Sequence, residues 1–320
     1  MLVRFAVDAT ALICVSDSAS DLATHRRVLR LWSRCGVLVR SGRESGGDGL
    51  GAIIKRLPLS LRKLWEEALT RERVAGADFK DLHDVSREAD LRELSKAVDL
   101  ACFSETVAGG LGLTNVISRR PHFGSPEICR FSLADESECF QSALKLADAP
   151  IREGVLVSDV WRERFATLAD ATRKAVVVVD RYAVKSHIER RDRASGLRRL
   201  LTELQRNPTG IVLTLFSVFP PGETLALDRL VEELKEVTQG AGVRRVDLFT
   251  TNQDAMFGRT AHNRYIRFDR AVCHLDVGIE VLGGLRVFRN CNFRLSAQVT
   301  ESNEVEARLR QFSQLRTVTT

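Results

Sequence analysis

No apolar run in this sequence approaches the roughly 20 residues that a bilayer-spanning helix needs. The longest stretches, Gly210 to Phe219 and Ala175 to Val179, stop well short of it, so no transmembrane helix is predicted. No secretory signal is expected either. Asp8 follows one short apolar run, whereas a signal peptide carries a longer one and a small-residue cleavage site. A cytoplasmic protein is expected. The seven cysteines are odd in number and scattered, without a C-x-x-C pair, which argues against zinc and against disulfides. They read as small buried residues of a reducing compartment. Gly46-Gly-Asp-Gly-Leu-Gly51 lacks the G-K-[ST] ending of a P-loop. No G-x-S-x-G elbow, internal repeat or low-complexity segment is present, and no cofactor is expected.

What is present is a chain of 320 residues with 44% hydrophobic and 28% charged residues, enough for two ordinary folded domains. The net charge is +6, yet the first 150 residues carry 21 Lys plus Arg against 21 Asp plus Glu. The excess therefore lies in the second half, where a positive field favours nucleic acid or an anionic membrane. Arginine supplies 40 of the 48 basic residues.

The apolar pattern predicts a strand at Val3 to Val7, a helix through Val28, Leu29 and Trp32, and a strand from Gly36 to Val39. A glycine-rich loop follows over Ser41 to Gly51. Helices are expected from Pro58 through Leu69 and from Ala89 to Phe103, then a strand from Glu127 to Phe131 and a helix from Glu136 to Leu146. A break around Ala149, Pro150 and Gly154 divides residues 1–150 from 151–320. Beyond it come a helix from Asp159 to Arg173 with Ser158 as cap, and the strand Ala175 to Asp180. Next are a helix over Gly196 to Leu204, a strand from Ile211 to Val218, a helix over Leu227 to Val237 and a strand from Val246 to Thr250. Strands at Tyr265 to Phe268, Val272 to Leu282 and Val287 to Leu295 precede a last helix from Ser302 to Phe312. Alternating strands and helices predict an α/β fold with parallel strands, here a mixed sheet with helices on both faces after a separate N-terminal α/β domain.

One stretch concentrates phosphate chemistry. On a strand, His262, Arg264 and Ile266 share a side, so an imidazole and a guanidinium face one pocket. A nucleophilic or proton-carrying His beside an Arg fork suits a phosphodiester: His262 would attack and Arg264 would hold phosphate. Asp180 and Tyr182 end a buried strand, where α/β sheets place ligands, and could form pocket walls.

Ala261-His262-Asn263-Arg264-Tyr265-Ile266-Arg267-Phe268-Asp269, followed by Val277 to Gly284, resembles the H-x-K-x4-D signature of the phospholipase D superfamily, with Arg264 where that family carries Lys. With Val178-Val-Asp180-Arg181-Tyr182 upstream, residues 155–315 resemble the MIT C-terminal domain, a phospholipase-D-like domain. The resemblance implies that Asp269 orients His262, and it adds Arg267 and Gly278 to Asp180 and Tyr182 as substrate contacts. Active members combine two such motifs, and this chain has one. An enzyme would thus be a homodimer, a phosphodiesterase or nuclease acting on nucleic acid. The alternative is a non-catalytic module binding phosphate, an anionic membrane or a protein partner. A third possibility is a subunit of a larger bacterial defence complex. In the first half, Val7-Asp8-Ala9-Thr10-Ala11-Leu12 resembles the first motif of PIN-domain ribonucleases, which implies a magnesium site that Asp99 and Glu105 would complete. Otherwise Asp8 simply caps a turn.

Overall fold

Strong apolar runs become strands at the centres of two sheets. The computed structural model describes residues 2–13, 19–42, 49–85, 87–190, 195–219, 224–251, 257 and 264–319, and the chain divides into two compact units, Met1–Leu146 and Ala147–Thr320. Each unit is α/β.

In the first unit, β1 (Val3–Val7), β2 (Gly36–Ser41), β3 (Val74–Ala77), β4 (Leu100–Phe103), β5 (Ser118–Arg119) and β6 (Glu127–Arg130) form one sheet in the order β3-β2-β1-β4-β6-β5. Every pairing is parallel except β5 with β6. Helices α1 (Ala19–Cys35), α2 (Leu50–Arg56), α3 (Leu59–Arg71), α4 (Leu91–Leu94) and α5 (Glu105–Gly110) connect the strands, and α6 (Glu138–Ala147) follows β6. Trp32 and Trp65, both fully buried, lie 6.1 Å apart between α1 and α3.

The helix expected over Ala89 to Phe103 is corrected. Only Leu91–Leu94 is α-helical there, and Leu100–Phe103 is the strand β4. All four β4 residues are buried, and the strand pairs with β1 and β6. An apolar segment sealed on both faces and both edges carries no alternation that would separate strand from helix.

In the second unit, a helical segment runs as α7 (Val157–Val160), a π-helical stretch (Trp161–Ala166) and α8 (Thr167–Ala171). Ser158 lies inside it, so the expected cap moves to Leu156. Then come β7 (Ala175–Val179), α9 (Ala183–Glu189), α10 (Gly196–Leu204), β8 (Ile211–Val218), α11 (Thr224–Thr238) and β9 (Val243–Thr251). The chain continues through β10 (Tyr265–Phe268), β11 (Ala271–Leu275), β12 (Phe293–Ser296), α12 (Thr300–Phe312) and β13 (Gln314–Thr319). The sheet order is β12-β11-β10-β7-β8-β9-β13. β7, β8 and β9 are parallel, and the four outer strands are antiparallel to their neighbours.

Two long strands expected near the C-terminus are shorter. Gly278–Leu282 is a 3-10 turn rather than an extension of β11, and β12 starts only at Phe293. Gly278 has φ +77, which ends a strand and begins the turn.

Alternation along β10 shows how both faces of this sheet are covered. Tyr265 and Arg267 point to α12: the Tyr265 hydroxyl donates to Ser302 O at 3.1 Å, and Arg267 makes a bidentate pair with Glu306 at 2.7 and 2.6 Å. Phe268, of opposite parity, meets Phe165 of the π-helical stretch at 6.3 Å. Arg267 and Glu306 are nearly buried, 14% and 6% exposed. Removing one partner leaves the other charge stranded, at a cost of about 3 kcal/mol. Glu306→Ala is therefore expected to lower urea-unfolding stability by about that amount, whereas the double exchange Arg267→Met with Glu306→Leu recovers most of it.

Candidate functional site

The site grows from a buried carboxylate. Val176–Val179 lie in the centre of the sheet, and Asp180 follows them only 1% exposed. A buried carboxylate needs donors, and Asp180 has them. Oδ1 accepts the backbone N–H of Tyr182 at 2.9 Å and Oδ2 that of Ile279 at 2.7 Å. Arg264 Nε stands 3.8 Å from Oδ1, an ion-pair distance without a hydrogen bond. Burial is the largest influence and raises the Asp180 pKa; the two N–H groups and Arg264 oppose it.

Gly278 lets this arrangement close. A Cβ there would overlap the Asp180 carboxylate and crowd Arg264 Cδ, and φ is +77. Arg264 is then fixed from several sides. Its Nη1 donates to Val277 O at 2.9 Å, and its guanidinium lies 5.0 Å from the centroid of the Tyr182 ring. Arg181 also lies over that ring, at 5.0 Å.

Arg264 borders a pocket of about 400 Å³ together with His274, Asp276, Asn292, Phe293 and Arg294. His274 and Arg294 are register partners on β11 and β12. The His274 Nδ1 atom is buried and has no hydrogen-bond partner among the described residues. Burial first, and then Arg294, lower the His274 pKa against the pull of Glu301, so the imidazole is mainly neutral at pH 7. Asp276 is occupied by Asn292, accepting from its backbone N at 3.0 Å and its Nδ2 at 2.7 Å. Two guanidinium groups and an imidazole around an open pocket can receive an oxyanion.

The predicted residues separate into groups. Asp180, Tyr182, Arg264 and Gly278 come together. His262 lies outside the described residues. Asp269 is elsewhere: Tyr265 pairs with Val179 and Phe268 with Val176, so Asp269 stands at the opposite end of β10 from Arg264, a separation on the order of 15 Å. Its carboxylate accepts the backbone N–H groups of Arg173, Lys174 and Ala175, and with φ +48 it starts the β10–β11 turn. It clamps that turn instead of orienting a histidine at the pocket. Arg267 is likewise removed from substrate contact, because all its nitrogens donate to Glu306 or to Asp269 O.

The first-unit acids also disperse. Asp8 is buried and caps its own turn, accepting from Thr10 N, the Thr10 hydroxyl and Ser104 N. Asp99 pairs with Arg4 beyond the other end of the β1–β4 pairing, and Glu105 accepts the Ser132 hydroxyl at 2.6 Å. Among the described residues no three His, Cys, Asp or Glu side chains are placed to hold a metal ion, and no helix is long and apolar enough to cross a membrane.

Sequence reasoning assigned no role to Arg181, Asn292, Arg294 or His274. The only signal for the last was its place on the strand following Arg264.

No family model and no curated protein matches the chain. Among solved structures it is similar to TrmBL2, an archaeal chromatin protein whose structure is described as showing a novel mode of DNA binding. The identity is 7% and the TM-score 0.28, over 64% of this chain and 78% of that one, a likeness too slight to support a shared fold or function.

Proposed function

We propose that the second unit is a phosphodiester-recognition module with a phospholipase-D-like resemblance, that its partner is nucleic acid, and that it binds rather than cleaves. The observation that carries this reading is the fixed Arg264 guanidinium at a pocket shared with His274 and Arg294. An arginine already held by Tyr182 and Val277 O loses little freedom on meeting phosphate. Residues 151–320 hold 27 Lys plus Arg against 21 Asp plus Glu, which favours a polyanion. Two supports that turnover would need are missing from the pocket, since Asp269 clamps a distant turn and Arg267 is tied to α12. Arg in place of Lys at 264 keeps charge but changes the donor geometry.

The test compares Arg264→Ala and His262→Ala with the parent protein on labelled single- and double-stranded DNA and RNA, in EDTA. Fluorescence anisotropy is expected to show a loss on the order of tenfold for Arg264→Ala, the size of one charge-assisted contact. His262→Ala should bind almost normally, and no variant should cut. EDTA-resistant cleavage that vanishes in His262→Ala would instead establish the histidine nucleophile and the hydrolase reading.

A second expectation concerns the shape of the site. Gly278→Ala forces an L side chain into a positive φ and into the Asp180 carboxylate, so thermal unfolding should show a loss of more than about 1 kcal/mol. Nucleic-acid affinity should fall with it even at temperatures where the variant remains folded.

A further inference from the structure

In the segment that leads into β12, Val287 and Cys291 turn inward and are buried, while Phe288 between them is 45% exposed. The backbone around that ring is fastened. Val287 N donates to Val155 O at 2.9 Å, Gly154 N to Val287 O at 2.9 Å, and Cys291 N to Ile151 O at 2.9 Å. Asn290 Oδ1 accepts from Glu153 N at 2.9 Å. A ring carried on a backbone tied on both sides is presented to solvent with little freedom left to lose on binding.

A single exposed aromatic is ordinary on a protein surface; the surroundings of Phe288 are not. Arg190 and Arg289 lie over its ring, 5.7 and 5.4 Å from the centroid, both within the range of about 6 Å in which a cation meets an aromatic face. Arg190 is held in turn by Glu280 at 2.7 Å, and Arg289 is exposed beside the ring. Four residues beyond Phe288, Asn292 lines the Arg264 pocket. The two Cα atoms are therefore at most about 14 Å apart, on the order of four nucleotides at a rise of about 3.4 Å along one strand. A π-face edged with cations takes a nucleobase and its phosphate together. The base lies on the open part of the ring or on the plane of a guanidinium. In a duplex the base faces are already stacked on one another, so only an unpaired base can use such a platform.

We propose that Phe288 is a base-stacking platform and that the nucleic acid taken by the second unit is single-stranded. One base stacks on Phe288, Arg289 meets the adjoining phosphate, and a phosphate a few nucleotides away occupies the Arg264 pocket. The proposal rests on the reading of the second unit as a nucleic-acid binder. Every base has a π-face, so this contact tolerates any sequence.

The test uses the full chain carrying Phe288→Ala, Phe288→Leu, Phe288→Trp or Arg289→Gln. Affinity is measured across salt concentrations for labelled single strands, for the same strands with abasic positions and for blunt duplex, with anionic lipid vesicles as a parallel probe. Phe288→Ala and Phe288→Leu are expected to lose about tenfold on the intact single strand. The slope of log affinity against log salt should not change in either, because stacking releases no counterions. Phe288→Trp should bind at least as well as the parent, and Arg289→Gln should reduce the slope by about 0.7. All four variants should melt with the parent, since the substituted side chains are exposed. A Phe288→Ala loss of equal size on the abasic strand or on duplex would overturn the proposal. So would normal binding by Phe288→Leu, or a Phe288 effect seen only with vesicles. Arg264→Ala separates the platform from the pocket. If it weakens binding while Phe288→Ala does not, the platform falls and the pocket stands; if only Phe288→Ala weakens binding, the pocket falls and the platform stands. A parent protein that binds no nucleic acid overturns both.

Discussion

A carboxylate taken out of water must be answered by donors, and in the second unit that requirement falls on Asp180. The central strand β7 delivers it at its C-terminal end, where Tyr182 N–H and Ile279 N–H converge on it. The segment around Gly278 can come this close only because residue 278 has no side chain and accepts a positive φ. The same segment supplies Val277 O, which fixes Arg264. One buried acid therefore shapes a turn, and the turn aims a guanidinium at the pocket. Glu280 repeats the logic nearby. Burial pushes its pKa up while Arg190 and the Gly196 N–H stabilise the charged form.

The second constraint is the two-residue period of β10. It commits Tyr265 and Arg267 to α12 and Phe268 to the opposite layer. A motif spaced as H-x-R-x4-D looks contiguous in the sequence. Drawn along an extended strand, its arginine and its aspartate lie at opposite ends, and each is used by a different part of the fold. Arg264 serves the pocket, and Asp269 holds the backbone where β7 begins. In the first unit the acid at the end of β1 is similarly spent on local needs, since Asp8 satisfies Thr10 and Ser104.

Most elements bounded by polar turns were legible in the residues themselves. β1, β7, β8 and β10, together with α1, α3 and α10, stand close to where apolar periodicity and capping signals place them. Failure came at β4, fully buried and so without alternation, and at Gly278, where a glycine that ends a strand looks the same in sequence as one within it. Part of the site was legible as well. Asp180 and Tyr182 stood out at a strand end, and Arg264 and Gly278 through the phospholipase-D-like resemblance. His274 and Arg294 were not, because their pairing is a cross-strand register that no local spacing encodes.

By itself, then, the sequence determined an α/β chain in two parts, the absence of long apolar helices, and an acid at the end of a buried strand. Those properties follow from local composition and period, which act within a few turns or residues. The tertiary structure alone decided that Asp180 and Arg264, 84 positions apart, share one site while Arg264 and Asp269, five apart, do not. Strand pairing brings distant residues into contact, and an extended backbone carries near neighbours away from each other.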